Sequence, residues 1–290
     1  MKKAGIFLRQ VQEEYKIIPM LTGISTYTYT WAVGVPGSLP ASPMSVHALI
    51  RKAVEFQVGC IQVADNLPLV EQPYEELKDV RTYARMNGIL VEIGGRGLTD
   101  ENLEKHIGLA AFFSSHILRM VIDSKSYKPD IDTILAVIRN ATGRLGKERI
   151  VLAVENHDRL HSSVFREIVE RSGSEWVGIC LDSVNSMGIG EGMETVVQNL
   201  APYTVNLHVK DYTVRRVSHN MGFVVEGVPA GKGMLNLPHL LEKLSPYNMC
   251  KSAILELWTP PAATIEETIQ REETWAAESI QYIKDTIAKR

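Results

Sequence analysis

The chain has 290 residues, 45% hydrophobic and 22% charged, with 31 Lys and Arg against 34 Asp and Glu for a formal net charge of -3. This is the composition of a packed globular protein; it excludes a disordered chain and lacks the sequence-wide positive field of a nucleic-acid binder. At roughly 150 residues per domain the length allows two domains, but a single α/β barrel of about 250 residues fits equally.

Residues 1–19 carry six charges, at Lys2, Lys3, Arg9, Glu13, Glu14 and Lys16, so no secretory h-region survives there. They read as an N-terminal extension, with Met20 opening the first strongly patterned segment. No run approaches the roughly 20 apolar residues of a membrane span, and the expected location is the cytoplasm. Cys60, Cys180 and Cys250 lie far apart in apolar runs, which predicts buried thiols rather than a disulfide or C-x-x-C site.

From Leu21 onward short apolar runs alternate with segments of helical period. The predicted strands are Leu21–Ser25, Cys60–Ala64, Leu90–Ile93, Ile117–Ile122, Ile150–Val154, Val177–Leu181, Thr204–Val209 and Ala253–Leu257. The predicted helices are Ser45–Gln57, Tyr74–Met86, one opening at Thr99, then Asp130–Arg144, Ser162–Arg171, Met193–Leu200, Leu237–Leu244 and Ile265–Ala288. Eight βα units with no Pro/Gly/Ser-rich linker between halves predict an α/β fold, a single-domain (β/α)₈ TIM barrel over residues 20–290. A doubly wound open sheet is the structural alternative. Between the seventh strand and its helix, residues 212–236 form a connection long enough to be functional or ordered by its own hairpin.

In a barrel, polar residues just past the apolar runs converge on one rim. The fifth strand runs into Glu155-Asn156-His157-Asp158, the sixth into Asp182-Ser183-Val184-Asn185, the seventh into His208-Val209-Lys210-Asp211, and the eighth into Glu256. Any one carboxylate there could be a helix cap or an ion-pair partner. Three aimed at one axis repel each other unless a cation or several donors intervene. A divalent ion held by three carboxylates and one imidazole answers that repulsion, and the oxygen-rich set suits Mn²⁺, Mg²⁺ or Co²⁺ more than a thiolate zinc site.

At these residues the sequence resembles the xylose isomerase-like (β/α)₈ superfamily, in its sugar phosphate isomerase/epimerase branch that includes the D-tagatose 3-epimerases. The order E-N-H-D, L-D-x-x-N, H-V-K-D and a last strand-end Glu carries the resemblance, which spans Leu21 to about Lys289. It implies that Glu155, Asp182, His208 and Glu256 bind one divalent metal, Mn²⁺ first, and that Glu155 and Glu256 are also the catalytic base and acid. Two positions depart from the pattern. Asn185 stands where the epimerases often have a substrate-contacting His, and Arg215 and Arg216 do not clearly match their Arg beyond the strand-seven His.

Further substrate contacts are expected from His157, Lys210, Arg96, Tyr27 and Trp31. Each also has a structural reading: a local donor for His157, an acidic partner for Lys210, a barrel plug for the aromatic loop. Arg119, inside the fourth apolar run, needs a buried carboxylate, and Glu92 has the spacing to point inward. The leading expectation is a metal-dependent isomerase or epimerase of a small sugar, sugar phosphate or sugar acid, working through an enediolate. The alternative keeps the metal and makes the protein a lyase, a decarboxylase or dehydratase of a 3-oxo sugar acid. An abasic-site endonuclease would need further His ligands at the early strand ends, which are absent. The expected partners are a small carbohydrate or sugar-acid substrate and copies of the same chain, as a dimer or tetramer, with neither nucleic acid nor membrane.

Overall fold

The computed structural model describes residues 20–289, so the extension expected over residues 1–19 lies outside the described residues. Eight parallel strands close into a ring: β1 (Leu21–Ser25), β2 (Cys60–Val63), β3 (Leu90–Arg96), β4 (Ile117–Val121), β5 (Val151–Glu155), β6 (Val177–Asp182), β7 (Thr204–Val209) and β10 (Ser252–Leu255). Around the barrel the order is β1-β10-β7-β6-β5-β4-β3-β2, so neighbours in sequence are neighbours in space and β10 pairs with β1. The fold is a single-domain TIM barrel, as the eight-unit pattern predicts; the open sheet is excluded by that closure.

Helices α1 (Thr30–Val33), α2 (Val46–Glu55), α3 (Tyr74–Met86), α4 (Asp100–Phe113), α5 (Ile131–Glu148), α6 (Ser162–Ser172), α7 (Met193–Leu200), α8 (Leu237–Leu244) and α9 (Ile265–Ala288) follow the strands. Their starts are set locally. Ser45, Thr99 and Asp130 accept from the backbone N–H groups of Ala48, Asn102 and Thr133, and Thr264 with Glu267 forms a capping box. These caps move two predicted boundaries. The helix expected from Ser45 begins at Val46, and the one expected to stop at Arg144 runs on to Glu148 because Leu145 is buried and the left-handed turn comes only at Arg149. α1 was not foreseen; it turns the aromatic-rich segment after β1 back toward α9.

Inward faces of the helices, such as Leu49 and Ile50 on α2 or Ile134 and Ile138 on α5, are fully removed from water against the barrel wall. Each such side chain contributes about 1.5–3 kcal/mol. All three cysteines are buried and unpaired, as expected. No described helix is long and apolar enough to cross a membrane.

The long connection after β7 contains an antiparallel hairpin, β8 (Asp211–Arg216) and β9 (Phe223–Val228). Asp211, the last residue of the H-V-K-D run, anchors its base: Oδ1 accepts from Tyr212 and Leu235, and Oδ2 accepts from Gly231 and Gly233. The Gly231-Lys232-Gly233 turn is thus a structural return to α8. Gly227 faces Trp258, where a Cβ would lie 2.1 Å from the Trp258 carbonyl oxygen, so only glycine lets the hairpin lean on the rim beside β10.

Candidate metal centre and pocket

The strand-end residues converge because their strands are adjacent and in register. Asp182 on β6 is the Cα partner of His208 on β7, and His208 is in turn the partner of Ile254 on β10, two residues before Glu256. Asp182, His208 and Glu256 offer ligand atoms within 4.8 Å of one another. Around His208 Nδ1 lie Glu256 Oε1 at 3.4 Å, Glu155 Oε2 at 3.5 Å and Asp182 Oδ2 at 3.7 Å. All four residues are almost completely buried.

Lys210 Nζ sits 2.8 Å from both Asp182 Oδ2 and Glu256 Oε2 and offsets part of their charge. His208 Nδ1, buried among three carboxylates, has no hydrogen-bond partner. Buried polar atoms in native proteins are nearly always satisfied, so an unpartnered imidazole nitrogen facing three carboxylates marks a cation site. The donor set, carboxylate oxygens and an imidazole lone pair, fits a divalent ion such as Mn²⁺ or Mg²⁺. Glu155, Cys180 and His208 form a second close group. The Cys180 thiol, though, is pushed far up by burial and donates to Asn206 Oδ1 at 2.9 Å, which ties it to the barrel floor.

Electrostatics in the cluster are dominated by opposite charges outweighing burial. Burial alone would raise Asp182, but Lys210 and then His208 hold it well below the usual carboxylate range. Glu256 is lowered in the same way by His208, Lys210 and Arg119. Burial opposes the charge on Lys210, yet Asp182 and Glu256 hold the ammonium well above its ordinary value.

A cavity of about 500 Å³ opens over this cluster at the C-terminal mouth. Tyr27, Trp31, Arg96, Glu155, His157, Asn185, Lys210 and Glu256 all line it, so every proposed substrate contact reaches one pocket, while Asp182 and His208 lie beneath its floor. Arg119 finds the carboxylates its burial demands: Nε donates to Glu155 Oε2 in a close ion pair, and Nη1 lies 3.1 Å from Asp65 Oδ1. Asp65 also accepts from Arg96 Nε at 2.8 Å and Tyr27 Oη at 3.1 Å. Burial would raise it, and Arg119 and Arg96 together lower it. Asn185 donates to the other Glu155 oxygen at 2.9 Å. Both oxygens of Glu155 therefore accept a hydrogen bond from a neighbour.

On the far wall Arg96 Nη2 stands 3.5 Å from His157 Nε2. His157 Nδ1 has the Asp158 backbone N–H at 3.0 Å and the Asp158 carboxylate at 3.5 Å. Arg96, Arg119 and Lys210 give the pocket lining three cationic side chains.

Sequence reasoning missed three contributors. Asp65 stands immediately after the apolar run of β2, at the same kind of position that pointed to Glu155 and Asp182. Trp258 overhangs Lys210, its ring centroid 5.7 Å from Nζ. Gln62, inside β2, accepts from His208 Nε2 at 2.8 Å. Glu92 does point inward, as its spacing suggested, and meets Gln62 and Asn206.

A closed barrel with a buried carboxylate–imidazole cluster under a rim pocket defines an enzyme of the metal-binding TIM barrel class. The chain belongs to the xylose isomerase-like TIM barrel family, whose profile matches residues 94–286. It is 28% identical over 264 residues to a 3-oxo-isoapionate decarboxylase of Pectobacterium atrosepticum, covering 91% of this chain and 95% of that one. Its fold is similar to that of a D-psicose 3-epimerase solved in the presence of D-fructose, at 17% identity and a TM-score of 0.69 over 92% of this chain and 99% of the other. It is also similar to a xylose isomerase-like protein of Mycobacterium smegmatis in complex with magnesium, at 13% identity and a TM-score of 0.68, covering 94% of this chain and 99% of that chain.

Proposed function

We propose that the protein is a divalent-metal-dependent decarboxylase of a 3-oxo sugar acid. The observation that carries this reading is the set of cations lining the pocket, Arg96, Arg119 and Lys210, which suits the carboxylate that a sugar acid has and a neutral ketose lacks. The similarity to 3-oxo-isoapionate decarboxylase over nearly the whole of both chains supports it.

Glu155, Asp182, His208 and Glu256 would hold the ion, which supplies Lewis-acid polarisation of the substrate ketone when bound. Arg96 and His157 receive the carboxylate. The bond between that carboxylate and its neighbouring carbon breaks, CO₂ departs, and the electron pair passes to the ketone oxygen as an enolate. One solvent-derived proton then returns to the carbon. As the carboxylate loses its charge the Arg96–His157 pair loses its hold, so this pair serves recognition. Acceleration has to come from the enolate side, where the Lys210 ammonium is kept charged by Asp182 and Glu256.

The isomerase or epimerase reading keeps one specific observation in its favour: Glu155 and Glu256 line the pocket from strands three places apart around the ring. One experiment separates the two. Mn²⁺-loaded protein given carboxyl-¹³C 3-oxo sugar acids in D₂O should release ¹³CO₂ and place one deuterium on the carbon that lost it. Deuterium entering a ketose without CO₂ release would replace the decarboxylase with an epimerase.

A further inference from the structure

We infer that Gln62 is a positioning residue that selects which nitrogen of His208 is presented to the cation. The inference rests on His208 being a metal ligand, as proposed above. Gln62 is fully buried on β2, three places around the ring from β7, and its bond to His208 crosses the barrel interior.

The direction of the Gln62 amide is fixed by its other neighbours. Its Nε2 donates to Glu92 Oε2 at 3.0 Å and to Asn206 Oδ1 at 3.2 Å. Asn206 cannot be turned around to accommodate the reverse, because its own Nδ2 donates to Glu92 Oε2 at 3.2 Å and to Ser252 Oγ at 2.6 Å, while its Oδ1 takes the Cys180 thiol. Glu92 Oε2 receives two N–H groups and is an acceptor. Reversing Gln62 would set a carbonyl oxygen against two acceptors. Gln62 Oε1 therefore faces His208, and Nε2 of the imidazole must carry the hydrogen that fills the 2.8 Å contact.

The consequence falls on the other side of the ring. With the hydrogen on Nε2, the neutral imidazole has its lone pair on Nδ1, the atom that faces Glu155, Asp182 and Glu256. The opposite tautomer would put an N–H among the ligand oxygens and leave a lone pair against Gln62 Oε1. Partners of this kind, set behind a ligand, commonly govern metal affinity by about 10–100-fold. A purely structural amide in a polar barrel floor would lower stability when replaced and do nothing else.

Gln62→Met keeps the volume and removes the acceptor. At alkaline pH, where the imidazole is neutral, ¹⁵N spectra of histidine-labelled wild-type protein should show His208, identified by its loss in His208→Asn, as the Nε2–H tautomer. The same spectra of Gln62→Met should show a mixture. The dissociation constant for Mn²⁺, measured by chelator competition, should rise about 10–100-fold in the variant. An Nδ1–H tautomer in the wild-type protein, or unchanged Mn²⁺ affinity in a folded Gln62→Met, would overturn the inference. If Gln62→Met does not fold, the wild-type spectrum decides it alone. Failure of wild-type protein to bind Mn²⁺ would instead remove the metal reading, and the tautomer would still decide the role of Gln62.

Discussion

Arg96 Nη2 and His157 Nε2 stand 3.5 Å apart, both on the wall of the pocket. A charge-assisted hydrogen bond to an incoming carboxylate is worth about 1.5–3 kcal/mol, so Arg96→Gln should raise KM for the acid substrate about tenfold to a hundredfold. Asp65 keeps Arg119 and Tyr27 as partners in that variant. If the pair serves recognition, kcat should change little, while the inhibition constant of the neutral methyl ester, which cannot lose CO₂ and only occupies the pocket, should be indifferent to the substitution.

Lys210 should behave in the opposite way. In the proposed decarboxylation its charge serves the developing enolate, so Lys210→Met is expected to lower kcat about a hundredfold or more while leaving KM within a few-fold, a loss confined to the transition state. Single-turnover CO₂ release checks this directly. A large KM effect with kcat preserved would move Lys210 to the recognition side.

The unpartnered His208 Nδ1 amid three carboxylates makes a prediction about stability. Mn²⁺ at about a hundredfold excess over its dissociation constant stabilises the folded state by about 2.7 kcal/mol, which raises Tm by several degrees. Chelation should reverse the gain. Asp182→Asn, which removes a full ligand charge beside His208, should abolish the response of Tm to Mn²⁺ in differential scanning calorimetry.

Glu272 on α9 reaches under the aromatic segment and accepts the backbone N–H groups of Trp31 and Ala32 at 2.9 and 3.0 Å. Burial pushes its carboxyl up to about 7, against the two N–H groups that favour the charged form. The folded state thus binds this proton more tightly than the unfolded chain. The stability it contributes is complete below the ordinary carboxylate range and is lost as pH rises through about 7. Urea unfolding across that range should show a downward slope in the wild type relative to Glu272→Gln, and Trp31 emission should titrate near the same pH in the wild type alone.

The barrel was legible because buried parallel strands are short apolar runs, and each predicted strand overlaps an observed one. Glu155, Asp182, His208 and Glu256 stood out because each interrupts such a run at its C-terminal end. Asp65 carries the same mark after Ala64 but is followed by Asn66-Leu67-Pro68, with no further titratable residue to make a motif. Gln62 is different in kind. A polar residue between Ile61 and Val63 reads as an interruption of a strand, and only the closed ring reveals that it meets His208, 146 residues further on. The approach of Arg96 to His157 was equally hidden, since 61 residues separate them.

The bonds that cross the barrel join early chain to late chain: Ser25 to Glu256, Gln62 to His208, Arg119 to Glu155. Both halves bring charge of both signs: Asp65, Glu92, Arg96 and Arg119 come with β2–β4, and Glu155, Asp182, Lys210 and Glu256 with β5 onward. Within the first half Arg119 already has Asp65 and Gln62 already has Glu92, but Glu155 for Arg119 and His208 for Gln62 arrive only with the second half. A half-barrel therefore keeps open strand edges and lacks the second partner of each of these buried groups.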